Sequence, residues 1–492
     1  MSEVVADELS AVVYSRWVHR PSRFTTPIPE RNLPSLLRRR SSDEYQLPCI
    51  SDLERAVRSR CAATAVEAAK HLGIPLDRYL ASGAGTAAGL QTINWAAGAE
   101  YFEVPATARL DQDEARSALG GGEFVVDVQC HYVAFDRFES TGANGILQFI
   151  RGVAPDRFRE LDGATSLRLA EFLRCVFVES ETSVALLTAA PGVGEHNILD
   201  NAEIAGTREL VDRLADTGRL LHHAIVHPNI AGELDTLDEV VSRHRPSGFK
   251  VYTLFGAAAE RSADRAGVGW MLDDDTSGIP FLEKARALGV RIICAHKGLG
   301  GLAPTSSPRD IGPAAATFPD LNFVVYHSGY EPGNGGEEEG RFSEQTAHLG
   351  TNRLVESLRS AGIEPGANVY AELGSTWFLL MNRPREAAHV LGKLLDAVGE
   401  DNILWGTDSP WYGPCQPLID AFRAFQIPDS MQQEFGYRAL SSQAKAKILG
   451  GNACKLYGID ADRVRRRVAN DDLSWVREAV NEAQRRGSVA LR

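Results

Sequence analysis

The segment 123-EFVVDVQCHYV-133 places three side chains with chemical potential at alternate positions of a predicted strand. Asp127, Gln129 and His131 lie within a run of strand-forming residues, and residues two apart on a strand point to the same face. An acid, an amide and an imidazole on one face of an apolar strand are typical of the edge of a metal site. The sequence therefore predicts that these three side chains face one site, while Cys130 faces away into the core.

Several other strand candidates also end in a group that could bind a metal. The strand-end residues are His131, His227, His296, His327 and Asp408. A divalent ion requires imidazole nitrogens and carboxylate oxygens that converge from separate segments. We predict that His131, His296 and Asp408 are the ligands of an open, catalytic metal site. The alternative is a set of hydrogen-bonded polar residues within the core.

The elements that must position these groups alternate between short β-branched strands and longer helical segments. The strand candidates span residues 124–131, 184–189, 220–227, 248–253, 290–296, 322–327, 368–373 and 402–408. Strands rich in Val, Ile and Leu that alternate with helices indicate parallel βαβ units. Eight such units predict an α/β protein with a (β/α)8 TIM barrel, in which the strand ends meet at one face. A doubly wound open sheet is the second interpretation, weakened because no GxGxxG turn follows the first strand.

The barrel is expected to occupy only the middle of the chain. Residues 1–120 are predicted to form a mostly helical N-terminal extension, residues 121–460 the barrel, and residues 461–492 a C-terminal helical tail. An arginine run at 38–40 is interpreted as a solvent-exposed loop.

Composition limits the classes of partner. The net charge of −13 argues against a nucleic-acid binder, because neutralising phosphates requires clustered Lys and Arg. No apolar run reaches the length of a membrane span, and the first residues lack the pattern of a secretory signal. Seven scattered cysteines without a CxxC pair indicate a reduced, cytoplasmic setting. The expected partners are a small-molecule substrate and a second copy in a homodimer, whose barrel the N-terminal extension would cover.

Four motifs in chain order resemble the amidohydrolase superfamily. The resemblance is strongest to the branch with aminocarboxymuconate semialdehyde decarboxylase and gamma-resorcylate decarboxylase, and it covers residues 123 to about 458. It implies a (β/α)8 barrel with one divalent metal ion, taken here as Zn, Mn or Fe. It also implies that His131, His296 and Asp408 are ligands and that His327 is catalytic. The motifs are DxQxH at 127–131, IICAHKG at 292–298, VVYHSG at 324–329 and WGTDSPW at 405–411.

Gln129 departs from the family pattern, since relatives place His or Glu at this position. Its amide oxygen can coordinate weakly and would favour a harder ion such as Mn²⁺. Alternatively, Gln129 only hydrogen-bonds a water on the metal. Either role argues against a second metal ion.

The remaining candidate residues have roles that the sequence leaves open. Lys250 is expected to bind a substrate carboxylate, or else to pair with Glu372, which could equally carry a proton. Residues expected to line the substrate pocket are Tyr252, His227, Trp377 and Trp411.

Three functions follow from these residues. The first is a mononuclear metal-dependent hydrolase in which metal-bound water attacks a small, carboxylate-bearing substrate and Asp408 and His327 move protons. The second is a metal-dependent, non-oxidative decarboxylase of an aromatic or conjugated acid. The third is a non-catalytic barrel that serves as a binding or scaffold protein.

Overall fold

Eight parallel strands form a nearly closed barrel in which each strand pairs with the next one along the chain. The structure is a computed structural model, and it describes residues 28–40, 42, 50, 52–134, 167–190, 197–253, 269–299, 304–332 and 339–485. The strands are β1 Val125–Cys130, β2 Thr182–Leu187, β3 Leu220–Val226, β4 Gly248–Tyr252, β5 Ile292–His296, β6 Asn322–Tyr326, β7 Val369–Glu372 and β8 Ile403–Leu404. The prediction of a (β/α)8 barrel with eight strands at these places is confirmed.

The barrel closes where the chain after β8 runs beside β1. Val128 donates its backbone N–H to the carbonyl of Trp405 at 3.0 Å, and Asp408 donates to the carbonyl of Gln129 at 2.9 Å. β8 is shorter than the predicted strand at 402–408: Trp405 donates its backbone N–H to the carbonyl of Ile448 outside the sheet, and Asp408 has a φ of +58°. These backbone bonds bring the predicted ligands of the first and last strands together.

Helices surround the strands and also precede the barrel. The helices before β1 are α1 Asp52–Leu72, α2 Leu76–Leu80, α3 Gly83–Ala97 and α4 Gln112–Leu119. Those between the strands are α5 Leu169–Leu173, α6 Asn201–Ala215, α7 Glu233–His244, α8 Gly278–Ala287, α9 Ile311–Thr317, α10 Gly350–Ser360, α11 Thr376–Leu380 and α12 Pro384–Ala397. Those after β8 are α13 Gln416–Ala424, α14 Asp429–Phe435, α15 Ser442–Ala446, α16 Asn452–Tyr457, α17 Ala461–Val468 and α18 Asp472–Arg485. No helix in the described ranges is long and apolar enough to span a bilayer.

Alternate strand residues divide between two hydrophobic clusters. The smaller cluster contains Val126 and Val128 of β1 together with Cys294 and Tyr326, and it is joined by residues of α16 and α17. The larger cluster contains intervening residues such as Val125, which pack against the helices, and it also contains Cys130. This division identifies the smaller cluster as the barrel interior, and the membership of Cys130 in the larger cluster confirms that it faces away from the site.

The prediction that Asp127 shares the face of Gln129 and His131 is wrong. Relative to β2, β1 contains one extra residue between Asp127 and Cys130, which is a β-bulge. The bulge changes the side to which later residues point. Asp127 instead accepts hydrogen bonds from the backbone N–H groups of Gln129 at 3.2 Å and Thr407 at 3.0 Å. Asp127 therefore joins the ends of β1 and β8 from outside the site.

The interpretation of the arginine run as a solvent-exposed loop is also wrong. All three arginines are half-buried. Arg39 pairs with Glu54 of α1 at 3.1 Å, and Arg40 donates to the backbone carbonyl of Tyr412. Long arginine side chains can bury their stems while their guanidinium groups bind carbonyl oxygens, so charge alone did not predict exposure.

Candidate active site

The centre of the candidate site is a contact between the ends of β1 and β8. The His131 Nε2 atom lies 2.9 Å from Asp408 Oδ1, and both side chains are fully buried. Gln129 donates from its amide nitrogen to the same oxygen at 3.1 Å. The structure therefore brings together three of the four residues that were predicted to surround the metal.

Hydrogen bonding fixes the tautomer of His131. Its Nδ1 atom lies 2.8 Å from the carbonyl oxygen of Thr188, which can only accept, so Nδ1 carries a proton. A neutral ring then directs the lone pair of Nε2 at the Asp408 carboxylate, as in metal-binding histidines whose second nitrogen is hydrogen-bonded. Two electron-rich atoms at 2.9 Å are stable only when a proton or a cation lies at that point. A proton satisfies this contact directly, as in an imidazolium–carboxylate pair, and a divalent cation would satisfy the same two groups once they moved apart.

Gln129 turns its amide oxygen away from this contact. Gln129 Oε1 is buried and has no hydrogen-bond partner among the described residues. A Cβ on residue 374 would lie 2.2 Å from this oxygen and 2.5 Å from Glu372 Oε1, so Gly374 leaves a gap between the two groups. The amide nitrogen faces Asp408, and coordination through the oxygen would require the amide to turn over. Both predicted roles of Gln129 remain open.

A second cluster lies at the ends of β5 and β6. The rings of His296 and His327 stand edge to face with centroids 4.8 Å apart, and Tyr252 packs on His296 at 5.3 Å. Burial, with the neighbouring His327 and Lys250, lowers the pKa of His296 well below its ordinary value. His296 is therefore neutral, which is the form in which an imidazole binds a metal.

The segment after β7 holds His327 in an uncommon conformation. His327 has a φ of +64°, and its Nδ1 lies 2.7 Å from the carbonyl of Gly374. Its backbone N–H donates to Glu372 Oε2 at 3.1 Å, while Thr376 donates its hydroxyl to the His327 carbonyl at 2.8 Å. Strained residues that neighbouring groups hold in place are concentrated at functional sites.

Glu372 is a fully buried carboxyl group between the two clusters. Its two oxygens accept from the backbone N–H groups of His327 and Gly374. Burial raises the pKa of Glu372 to about 7, although the nearby His327 acts in the opposite direction. Glu372 can therefore exchange a proton near neutral pH, as its predicted role as a proton carrier requires.

Lys250 lies in the barrel interior, next to the aromatic rings of β4 and β6. Its ammonium nitrogen is 3.4 Å from the centroid of the Tyr326 ring and 4.5 Å from that of Tyr252. These are cation–π contacts in a buried setting. They place Lys250 beside the His296 cluster, and its role as a substrate-binding cation remains a prediction.

The four predicted pocket residues do not all lie at this site. Tyr252 touches His296, and the Trp411 ring is 6.5 Å from His131. His227 is bound to Glu233 through its backbone N–H at 2.6 Å and through its ring at 3.2 Å. Trp377 donates to the carbonyl of Leu418 and packs among aromatic residues of α13. The contacts of His227 and Trp377 explain their burial without a substrate.

Two polar groups lie near His131, and one of them, Thr188, was not identified from the sequence. The Thr188 hydroxyl and the Trp411 indole nitrogen are buried without a hydrogen-bond partner among the described residues. Buried polar atoms are nearly always satisfied, so such groups often mark a place for a ligand or water. Thr188 lies just beyond β2, at the C-terminal face of the barrel. Residues at this face are expected to take part in the active site, so the end of β2 is the sequence signal that could have identified Thr188.

The donor chemistry of the site fits one divalent ion, but the side chains are not arranged around one. In the described ranges, no group of three or more His, Cys, Asp or Glu side chains is spaced to hold a metal. His131 and Asp408 touch each other directly, and His296 packs on His327 instead of on this pair. The predicted set of three ligands therefore remains a prediction, and binding an ion would require His131 and Asp408 to separate.

The gap between Gln129 and Glu372 exists because residue 374 is a glycine, and it is too small for a methyl group. We expect Gly374→Ala to destabilise the protein by roughly 1–3 kcal/mol, because the new Cβ overlaps both oxygens. Metal affinity should fall as well. The matched control is Gly206→Ala in α6, where nothing lies within 4 Å of the added Cβ and the helix should gain stability. Thermal unfolding of the two variants checks this, and equal stability of Gly374→Ala and the wild type would contradict it.

The family of the chain follows from comparison with known proteins. A model of the amidohydrolase family matches residues 126–459, which is about two thirds of the 492 residues. The chain belongs to the amidohydrolase family. The predicted resemblance and the prediction of an amidohydrolase-type enzyme are thereby confirmed.

The solved structures that are similar to this amidohydrolase have low sequence identity to it. An uncharacterised TIM-barrel protein from Bordetella bronchiseptica is 14% identical, with a TM-score of 0.43 and coverage of 68% of this chain and 98% of that one. The 5-carboxyvanillate decarboxylase from Sphingomonas paucimobilis is 16% identical, with a TM-score of 0.40 and coverage of 69% and 100%. A dihydroxybenzoic acid decarboxylase from Polaromonas, solved with manganese, is 16% identical, with a TM-score of 0.39 and coverage of 69% and 98%. No curated protein matches the chain.

Proposed function

We propose that this amidohydrolase is a mononuclear metal-dependent hydrolase of a small organic substrate that bears a carboxylate. The observation that carries the proposal is the buried His131–Asp408 contact, in which Nε2 of a ring with protonated Nδ1 faces a carboxylate oxygen. A cation resolves that juxtaposition, and His296 supplies a neutral third nitrogen nearby. A divalent ion bound there would activate water and polarise the carbonyl that is attacked.

The residues around the site have distinct tasks in this proposal. Asp408 would hold the ion, and its carboxylate would accept a proton from the attacking water. His327, whose Nδ1–H is occupied by the Gly374 carbonyl, presents its other nitrogen to the leaving group. Trp411 and Thr188 offer buried polar atoms that can orient the substrate. Lys250 supplies positive charge for a substrate carboxylate. Cytoplasmic location and a homodimer remain predictions from the sequence.

A second candidate, non-oxidative decarboxylation, is favoured by Glu372. Loss of CO₂ from an aromatic or conjugated acid leaves a carbon that must gain a proton, whereas hydrolysis needs no proton delivered to carbon. Glu372 is fully buried beside His327, and burial raises its pKa to about 7, so it is partly protonated at neutral pH. A buried acid of this kind is a suitable proton donor.

Isotope labelling separates these two reactions and the non-catalytic alternative. The protein, loaded with Mn²⁺, Zn²⁺ or Fe²⁺, is incubated in H₂¹⁸O with carboxylate-bearing amides, esters and lactones. A second panel contains hydroxybenzoic and conjugated acids labelled with ¹³C in the carboxylate. We expect ¹⁸O in a product acid and no ¹³CO₂. Release of ¹³CO₂ would replace hydrolysis by decarboxylation, and no turnover on either panel, together with no metal binding, would favour the scaffold interpretation.

A further inference from the structure

The N-terminal segment 33–40 contacts the wall of the candidate site. Arg40 donates a guanidinium N–H to the backbone carbonyl of Tyr412, four residues after Asp408. Asn382, just beyond α11, donates to the carbonyl of Leu36 at 2.9 Å, and Leu36 is fully buried. The segment is thus packed into the barrel's C-terminal face, although the family model begins only at residue 126.

Tyr412 connects this segment to the site. Its ring stacks on Phe378 of α11 with centroids 4.0 Å apart and planes 16° from parallel. Its hydroxyl oxygen lies 2.5 Å from the hydroxyl oxygen of Ser375. The tyrosine is therefore fixed at its backbone by Arg40, on its face by Phe378 and at its hydroxyl by Ser375.

The direction of the hydrogen bonds beyond Tyr412 follows from chemistry. Ser375 donates its hydroxyl proton to Asp408 Oδ2, since a carboxylate oxygen can only accept. The Tyr412 hydroxyl must then donate to the Ser375 oxygen. Ser375 has a φ of +55°, a costly conformation for a serine, and this conformation brings its hydroxyl to the carboxylate.

We propose that Ser375, Tyr412 and Arg40 are positioning residues for Asp408, and that the N-terminal extension takes part in the active site through Arg40. Asp408 Oδ1 is directed at His131 and Gln129, while Oδ2 is held by Ser375. The two sets of contacts fix the plane of the carboxylate. Partners that orient a metal-binding group in this way commonly alter metal affinity or activity by about 10–100-fold when removed. The inference rests on the proposed function, because it assumes that Asp408 acts in the reaction.

Conservative substitutions in the full chain test the proposal. Tyr412→Phe removes only the hydroxyl, Ser375→Ala removes the final donor, and Arg40→Gln removes the charged donor on the N-terminal segment. Arg40→Lys retains a charged donor. The matched control is Arg39→Gln, which changes the neighbouring arginine and its ion pair with Glu54 but not Tyr412.

The measurements are kcat and KM on a substrate identified by the isotope-labelling assay, the Kd for Mn²⁺ by calorimetry, and the unfolding temperature. We expect Tyr412→Phe and Ser375→Ala to lower kcat or Mn²⁺ affinity by about 10-fold or more, with little change in KM. Arg40→Gln should show a smaller loss in the same direction that Arg40→Lys partly restores. Arg39→Gln should resemble the wild type in kcat and Kd.

The two ways of failing are distinguishable. Wild-type kcat and Mn²⁺ affinity in folded Tyr412→Phe and Ser375→Ala would overturn the positioning role, even if Asp408→Asn is inactive. If Asp408→Asn itself keeps turnover and Mn²⁺ binding, the proposed function falls and the positioning role falls with it. An Arg39→Gln variant as impaired as Arg40→Gln would show that the segment acts only through general stability.

Discussion

Asp408→Asn is expected to lower kcat by about 10³-fold while the protein stays folded, because general acid–base groups contribute roughly 10²–10⁴-fold. Asparagine keeps the shape of the side chain but removes the charge that faces His131 and the basic oxygen that would accept a proton. Burial acts to raise the pKa of Asp408, yet its hydrogen bond with His131 and nearby positive charge hold that pKa below its ordinary value. The group is therefore ionised, and its charge is what the variant removes.

A matched control for this variant is Asp420→Asn in α13. Burial raises the pKa of Asp420 to about 7, so the folded protein already tolerates the neutral form of this side chain. Its carboxylate accepts from Gln416 at 2.7 Å, and no contact of Asp420 reaches His131 or His327 in the described ranges. Activity of Asp420→Asn should equal that of the wild type. Equal activity of Asp408→Asn and Asp420→Asn would contradict a catalytic role for Asp408.

Asp310→Asn is expected to destabilise the fold by about 3–5 kcal/mol, because it leaves a buried ammonium without its counter-ion. Lys297 directly follows His296, and its nitrogen lies 2.7 Å from Asp310 Oδ2, with both side chains fully buried. Burial lowers the pKa of Lys297, which shows how costly the unpaired charge would be. Loosening Lys297 should also displace His296 and weaken metal binding.

Denaturant unfolding and a surface control test this second effect. The pair between Lys284 and Asp238 is partly exposed, so Asp238→Asn should lower the stability far less than Asp310→Asn does. Replacing both buried partners, as in Lys297→Met with Asp310→Leu, should recover most of the stability lost by the single variant. If Asp310→Asn lowers the free energy of unfolding no more than Asp238→Asn does, the stabilising role of the buried pair is contradicted.

The strands and their ends were predictable because their physics is local. Short runs of Val, Ile and Leu between amphipathic helices specify parallel barrel strands, and the active face of such a barrel lies at their C-terminal ends. This reasoning located His131, His296 and His327 correctly at strand ends. It also anticipated that Asp408 and His131 would converge, since the C-terminal ends of the barrel strands meet at one face.

The two errors, and the roles that the sequence leaves open, concern features that are decided by a single residue or by one distant contact. A single extra residue in β1 reverses the side of Asp127, and no pattern of residue types marks that bulge. The contact of Arg40 with Tyr412 joins residues 372 positions apart, beyond any periodicity. The direction of the Gln129 amide depends on the donors and acceptors around it, which only the folded structure provides. The pocket role of Trp377 stays a prediction, because its packing against Phe422 and Phe425 accounts for its burial without a substrate.

The central claim is that His131, His296 and Asp408 hold one catalytic divalent ion, and metal content tests it most directly. The full chain is purified without chelators and analysed by mass spectrometry for Mn, Fe and Zn. We predict one equivalent of a divalent metal, lost in His131→Ala and in His296→Ala but retained in His389→Ala, a buried histidine bound to Tyr437 at 3.0 Å. A metal-free protein that also fails to bind Mn²⁺, Fe²⁺ or Zn²⁺ on titration would contradict the claim.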